Sequence, residues 1–206
     1  MPYTNRELIN TMIASGILKT PRITDAFQKI DRKYFVPEAF SEHIYVDRPL
    51  PIGKDQTISQ PSTVAFMLEL LLPEEGDKVL DIGSGSGWTA ALLCAIVSEK
   101  GSVLGLERVD ELVERGQNNL KQFEFSQCHI RKADDKLGVP GETFDKILVS
   151  ASADEIPREL FIQLKIGGTL VIPVINSIFC FKKISETEIK AEEYQGFVFV
   201  PLIYEQ

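Results

Sequence analysis

The 206-residue chain is 44% hydrophobic and 25% charged and has no low-complexity tract or internal repeat, which fits one domain with a sizeable core and excludes disordered and solenoid classes. A formal net charge of −8 argues against a protein that grips nucleic acid through a basic face. No eighteen apolar residues occur together and no apolar run follows a basic start, so a cytoplasmic monomer bound to neither membrane nor nucleic acid is expected.

In chain order, Thr4-Asn5-Arg6-Glu7 has the form of a capping box, and Leu8, Ile9, Met12 and Ile13 follow at helical spacing until Gly16. Ile23, Ala26, Phe27 and Ile30 predict a second amphipathic helix. Residues 34–54, rich in Pro and aromatics, read as an irregular segment, and Pro61 opens an apolar helix over 64–72. Thereafter short β-type runs at 78–82, 103–107, 129–133, 146–150 and 169–174 alternate with helical stretches at 89–97, 110–122 and 157–164. That alternation predicts a doubly wound α/β fold with a mostly parallel sheet. Only three residues separate 174 from the apolar run 178–184, too few for a parallel crossover, so those strands should pair antiparallel. A last run, 196–202, completes an expected seven-stranded sheet.

The three cysteines, Cys94, Cys128 and Cys180, lie far apart in apolar surroundings and read as buried free thiols. Only His43 and His129 could serve as imidazole ligands, and neither pairs with a cysteine at metal spacing, so no metal site is expected.

The stretch Val-Leu-Asp-Ile-Gly-Ser-Gly-Ser-Gly-Trp, ending at Trp88, puts Gly83, Gly85 and Gly87 just after the first strand of the alternating region. A doubly wound sheet places its ligand crevice there, and a side chain at such a turn would clash with a ligand or strain the backbone. A dinucleotide fingerprint can be forced onto Gly85, Gly87 and Ala90, but Asp81 suits an ammonium group better than a pyrophosphate. Glu107, at the next strand's end, can accept from two ribose hydroxyls, and Asp134 after the third could reach an adenine amino group. Ammonium, ribose and adenine together describe S-adenosylmethionine. The bland alternative for each is a plain turn, a solvated carboxylate or a helix cap. The strand over 146–150 is followed by Ala151-Ser152-Ala153 rather than an Asn- or Asp-Pro-Pro-aromatic turn, which disfavours base N-methylation.

The segments beginning Asp47-Arg48-Pro49-Leu50, Val79-Leu80-Asp81-Ile82-Gly83, Phe144-Asp145-Lys146-Ile147, Gln163-Leu164-Lys165-Ile166 and Phe197-Val198-Phe199-Val200-Pro201-Leu202 resemble, in order and spacing, the protein-L-isoaspartate O-methyltransferase family. The stretch Thr57-Ile58-Ser59-Gln60-Pro61 is the most specific part of the match. The resemblance implies a single domain over 1–206, with residues 1–60 on the substrate side and 61–206 as the S-adenosylmethionine-binding core of a Rossmann-like methyltransferase fold. It implies methyl transfer to the α-carboxylate of L-isoaspartyl residues in damaged proteins or peptides, with S-adenosylhomocysteine as product. Thr57, Ile58, Ser59 and Gln60 are then substrate-binding, with Ser59 orienting the attacking oxygen; its bland reading is a helix cap. Ile82 and Ser84 join the glycines on the cofactor side, as do Arg108 beside Glu107 and Asp135 beside Asp134.

Three positions in two stretches depart from the family pattern: Asp55 stands where glycine is usual, and Ala133-Asp134-Asp135 replaces Gly-Asp-Gly. A carboxylate at Asp55 within roughly 6 Å of the substrate's would cost about 3 kcal/mol at an effective dielectric near 20. Methylation of a different carboxylate, cofactor binding without activity, and dinucleotide-dependent redox chemistry are the competing readings.

Overall fold

The computed structural model describes residues 4–204; the outermost residues of the expected 1–206 unit lie outside the described residues. Helix α1 (Asn5–Ala14) starts where the capping box places it, with Thr4 Oγ1 accepting from the Glu7 amide at 3.2 Å. Helix α2 (Pro21–Lys29) starts on a proline, whose missing N–H costs a first turn nothing. Both bury their apolar stripes: Leu8, Ile9 and Met12 on α1, and Ile23, Ala26 and Phe27 on α2.

The expected irregular segment over 34–54 is corrected at its end. Strand β1 (Leu50–Gly53) pairs antiparallel with β2 (Gln56–Ile58) across a two-residue turn, Lys54 and Asp55, both with positive φ. Such a turn matches the twist of a hairpin, but its usual glycine or asparagine signature is absent, so the sequence concealed it. Helix α3 (Pro61–Leu71) follows.

The main sheet is built from β3 (Lys78–Ile82), β4 (Ser102–Glu107), β5 (Cys128–Lys132), β6 (Phe144–Val149), β7 (Leu164–Val174), β8 (Ser177–Lys183) and β9 (Ile189–Gln195). Helices α4 (Trp88–Val97), α5 (Asp110–Leu120) and α6 (Glu159–Ile162) lie between strands. The order is β5-β4-β3-β6-β7-β8-β9, parallel from β5 through β7 and antiparallel for β8 and β9. Because the chain winds outward from β3 to β5 and then back past it to β6, the direction of winding reverses between β3 and β6. A crevice opens at the carboxyl ends of strands at such a reversal. Alternate residues of the central strands feed two cores: Val79, Val103, Ile130 and Leu148 pack against the helices α1 to α5, while Leu80, Leu106, Ile147 and Leu170 pack on the face bearing α6. Burial on both faces explains why these strands read as continuous apolar runs.

Three expectations are corrected here. The seventh strand is β9, not 196–202. Its sequence, Ile-Lys-Ala-Glu-Glu-Tyr-Gln, is polar on both faces because it is an exposed edge, so no apolar alternation marks it. The apolar run 196–202 instead crosses the ends of the strands, bridging through Pro201 to Ser152. The helix expected over 157–164 shrinks to the four residues of α6, because Leu164 already pairs with Phe144 in the sheet. Finally, Cys94 on α4 and Cys128 at the start of β5 are joined as a disulfide, leaving Cys180 as the free thiol. The crossover packs α4 near β5, bringing together residues 34 positions apart, a proximity that spacing along the chain does not reveal.

Candidate active site

At the reversal, β3 ends in Ile82 and the chain turns through Gly83, Gly85 and Gly87, with φ of 81°, 53° and 88°. These left-handed angles are available to glycine without strain. The turn is held from below: Gly83 and Ser84 donate to the Leu106 carbonyl at 2.8 and 3.1 Å. The three glycines do different work. Gly83 and Gly85 line a pocket, whereas a Cβ on Gly87 would sit 3.0 Å from Ile130 Cδ1 and 3.2 Å from Gly116 Cα, so that glycine lets α4 and α5 close together.

Glu107 lines the same pocket and is 5% exposed. Its Oε2 accepts from the Gly85 amide and its Oε1 from the Val109 amide, both at 2.9 Å. Each oxygen keeps a second lone pair, so the carboxylate is oriented and still able to take two hydroxyls. Asp81 sits deeper. It is wholly buried, its two oxygens have no hydrogen-bond partner among the described residues, and its carboxyl is pushed up to about 7 by burial first and by Glu107 second. It therefore lies behind the glycine turn rather than on the pocket wall; the Ser84 hydroxyl, which also lines no part of the pocket, is likewise buried without a hydrogen-bond partner among the described residues.

The pocket is an open cleft whose space, counted with the solvent in its mouth, is about 690 Å³. Ile82, Arg108 and Asp134 also line it; Asp135 does not and is exposed. Asp134 is paired with Arg131 at 3.0 Å and is itself mostly exposed. Several walls escaped the sequence reading. Ile52 and Gln56 come from the unforeseen hairpin, and 200–204 comes from the end of the run expected as a strand and the two residues after it. Leu137 and Gly138 complete the side near Asp134, in a loop pinned by Gln163, whose Oε1 accepts from Val139 at 2.6 Å and whose Nε2 donates to Leu137 at 3.0 Å.

A second pocket adjoins the first. Pro49, Thr57, Ser59, Gln60 and Thr63 line it together with Ser150 and 198–200. Ile58 faces away: strand alternation buries it in the core at 4% exposure. Ser59 is not the cap of α3. Gln60 occupies that position, and the carboxylate of Asp47 accepts from the Ser62 amide at 2.8 Å and from Gln60 Nε2 at 3.1 Å. The Ser59 hydroxyl makes no hydrogen bond among the described residues. Its carbonyl is held from behind by Arg32 at 2.9 Å.

Arg32 is the residue that periodicity had no means of finding. Its guanidinium is wholly buried and donates to the carbonyls of Ile44, Val46, Arg48, Ile58 and Ser59, while its Cζ lies 5.3 Å from the ring centre of Trp88 at the start of α4. Burial lowers its pKa to about 10, with Asp47 opposing the shift, so it stays charged at neutral pH. Among the described residues, no group of three or more His, Cys, Asp or Glu is placed to hold a metal ion.

A doubly wound sheet of this order, with an acidic strand tip and a glycine turn at its reversal, defines the fold of the S-adenosylmethionine-dependent methyltransferases. The sequence profile described as protein-L-isoaspartate(D-aspartate) O-methyltransferase matches residues 3–206, and the chain belongs to that family. Protein-L-isoaspartate O-methyltransferases from Methanopyrus kandleri and Pyrococcus horikoshii are each 40% identical to it, the first over 97% of this chain and 91% of its own length, the second over 97% and 93%. A crystal structure from Plasmodium falciparum, assigned as the same enzyme and bound to S-adenosyl-L-homocysteine, superposes with a TM-score of 0.87 at 25% identity, covering 98% of this chain and 99% of that one.

Proposed function

We propose that this protein transfers the methyl group of S-adenosylmethionine to the α-carboxylate of L-isoaspartyl residues in damaged proteins or peptides, the first step in their repair. The observation that carries this reading is the meeting of two pockets. One has a glycine-lined floor and an oriented acidic side chain; the other has hydroxyl side chains, and no Lys or Arg lines it.

The first pocket fits the donor. Gly83 and Gly85 leave room for close approach, Glu107 keeps lone pairs for a ribose, and the buried Asp81, its carboxyl raised to about 7, lies behind the turn where a bound ammonium group would draw it into the ionised form. When bound, S-adenosylmethionine supplies a methyl group already activated on sulfonium. An acceptor carboxylate is ionised at neutral pH, so no side chain is needed as general base. What remains for the protein is positioning and exclusion of water, which proximity and orientation can accomplish.

Thr57 and Ser59 are the acceptor-side donors on the hairpin side. Ser59 is fixed from behind through its carbonyl and leaves its hydroxyl free, as an orienting group requires. Asp55 lies at the exposed tip of the hairpin and lines neither pocket, so its charge does not oppose the acceptor. The protein acts as a cytoplasmic monomer, without nucleic acid or membrane; no helix among the described residues is long and apolar enough to cross a bilayer.

The test is transfer of labelled methyl to an isoaspartyl peptide and to its normal aspartyl twin. Labelling of the first alone is expected, and equal labelling of both, or of neither, would overturn the assignment. Ser59→Ala should keep its affinity for S-adenosylhomocysteine and lose much of its turnover.

A further inference from the structure

Ser150 follows β6 at the reversal of the sheet and lines the acceptor pocket together with Ser59. It lines both pockets, and so do Thr57 and Val200. A methyl group passing from donor to acceptor has to cross where the pockets meet, so residues on both walls border the reacting atoms. Val200 brings no side-chain donor to that junction; Thr57 and Ser150 bring hydroxyls.

The two differ in how firmly they are held. Thr57 belongs to a short hairpin, whereas the Ser150 amide donates to the Ile82 carbonyl at 2.8 Å and so extends the parallel pairing of β3 with β6. Beside it is Gly83 of the donor pocket, where a Cβ would lie 3.8 Å from that of Ser150, so the serine sits against the glycine turn. The next serine on this turn shows the contrast. The Ser152 hydroxyl is committed to the Ile175 carbonyl at 3.1 Å, while that of Ser150 makes no hydrogen bond among the described residues. With no Lys or Arg on the wall, an anionic acceptor has to be met by neutral donors.

We infer that the Ser150 hydroxyl is a second donor to the acceptor carboxylate beside that of Ser59, placed at the junction of the two pockets. The inference rests on the reading of the protein as an isoaspartyl methyltransferase. A hydroxyl bound to a charged partner is worth roughly ten- to a hundredfold in kcat/KM. Three variants separate this role from others: Ser150→Ala removes the donor, Ser150→Thr keeps it, and Ser152→Ala controls for the turn.

Expected for Ser150→Ala are a loss of roughly ten- to a hundredfold in kcat/KM for an isoaspartyl peptide, with affinity for S-adenosylhomocysteine within about threefold of wild type and an unchanged Tm. Ser150→Thr should recover most of the activity, and Ser152→Ala should not reproduce the peptide defect. A loss of S-adenosylhomocysteine affinity that matches the loss of activity would place Ser150 on the donor instead and overturn the inference. An active wild type with an equally active Ser150→Ala overturns it alone; a wild type inert toward the peptide overturns it together with the assigned function.

Discussion

The buried guanidinium of Arg32 donates to the carbonyl of Ser59 at 2.9 Å and, from the same planar group, to four other carbonyls in the loop and hairpin behind the acceptor pocket. One side chain thus ties 44–48 to 58–59. A lysine cannot copy this, because its three donors radiate from a point rather than a fork. Each carbonyl left buried without a partner costs about 1–3 kcal/mol. Arg32→Lys is expected to lose about 3 kcal/mol of stability in denaturant unfolding, and the peptide KM should rise further than the Kd for S-adenosylhomocysteine. Equal losses on both sides would mean that Arg32 supports the fold at large and not the acceptor wall.

The pH dependence of stability should carry the mark of Asp81. Its folded pKa is raised to about 7, chiefly by burial, against an ordinary value near 3.9. Between about pH 4 and pH 7 the native state holds a proton that the unfolded chain has released. The stabilising share of this group is therefore complete below about pH 4 and gone above about pH 7. Asp81→Asn should flatten that slope and, at pH 8, raise the Tm of the ligand-free protein by a few degrees. The same change removes the charge behind the glycine turn, so affinity for S-adenosylhomocysteine should fall about tenfold. A variant that lost both stability and affinity at pH 8 would show that the native carboxylate is partnered after all.

Much of this architecture was legible because the central strands are buried on both faces and the helices on one: the alternation from 78 to 174 carried the doubly wound sheet. Gly83, Gly85 and Glu107 could be placed near the crevice for a related reason, since they follow the tips of strands whose ends form it. What escaped follows equally from physics. The edge strand β9 contacts solvent on both faces and so bears no apolar period, while 196–202 is apolar because it roofs a pocket. Arg32 and Ser150 act through contacts between elements distant in sequence, and no local pattern encodes such contacts.

Gly116 belongs to the same hidden set. It lies buried in α5, where a Cβ would come within 2.9 Å of Ile130 Cδ1 and 3.2 Å of the Gly85 carbonyl. Helix propensity alone predicts that Gly116→Ala stabilises by about 1 kcal/mol. Overpacking a closed site costs about 1–3 kcal/mol and here pushes directly on the cofactor turn. The expected sum is a modest loss of stability together with weaker binding of S-adenosylhomocysteine by calorimetry. A stabilised variant with intact binding would show that α5 can shift away from the turn.

The Cys94–Cys128 link closes a 34-residue span that includes β4 and α5. By chain entropy a loop of that size contributes about 4 kcal/mol to stability. Non-reduced protein, unfolded in the presence of a thiol reagent, should yield one reactive thiol, that of Cys180, and three after reduction. Reduction should lower the Tm by roughly 10 °C, taking 2–4 °C per kcal/mol for a chain of this size. Three reactive thiols without reductant, and a Tm indifferent to it, would show that the pair is not bonded in solution.

The hairpin tip offers a separation of stability from catalysis. Lys54 and Asp55 both adopt positive φ, of 54° and 57°, a conformation that costs an ordinary side chain about 1–2 kcal/mol and an aspartate less. The turn type prefers Asn-Gly. Lys54 also pairs with Glu111 at 2.5 Å, but both partners are exposed and such a pair is worth about 0–1 kcal/mol. The single change Asp55→Gly leaves that pair intact and removes the strain at one residue, so unfolding should shift toward greater stability by up to about 1 kcal/mol. Because Asp55 lines neither pocket, kcat/KM for an isoaspartyl peptide should stay within about twofold across ionic strength. A large, salt-sensitive gain in activity would instead reveal that the carboxylate swings toward the acceptor during turnover and repels it through the solvent.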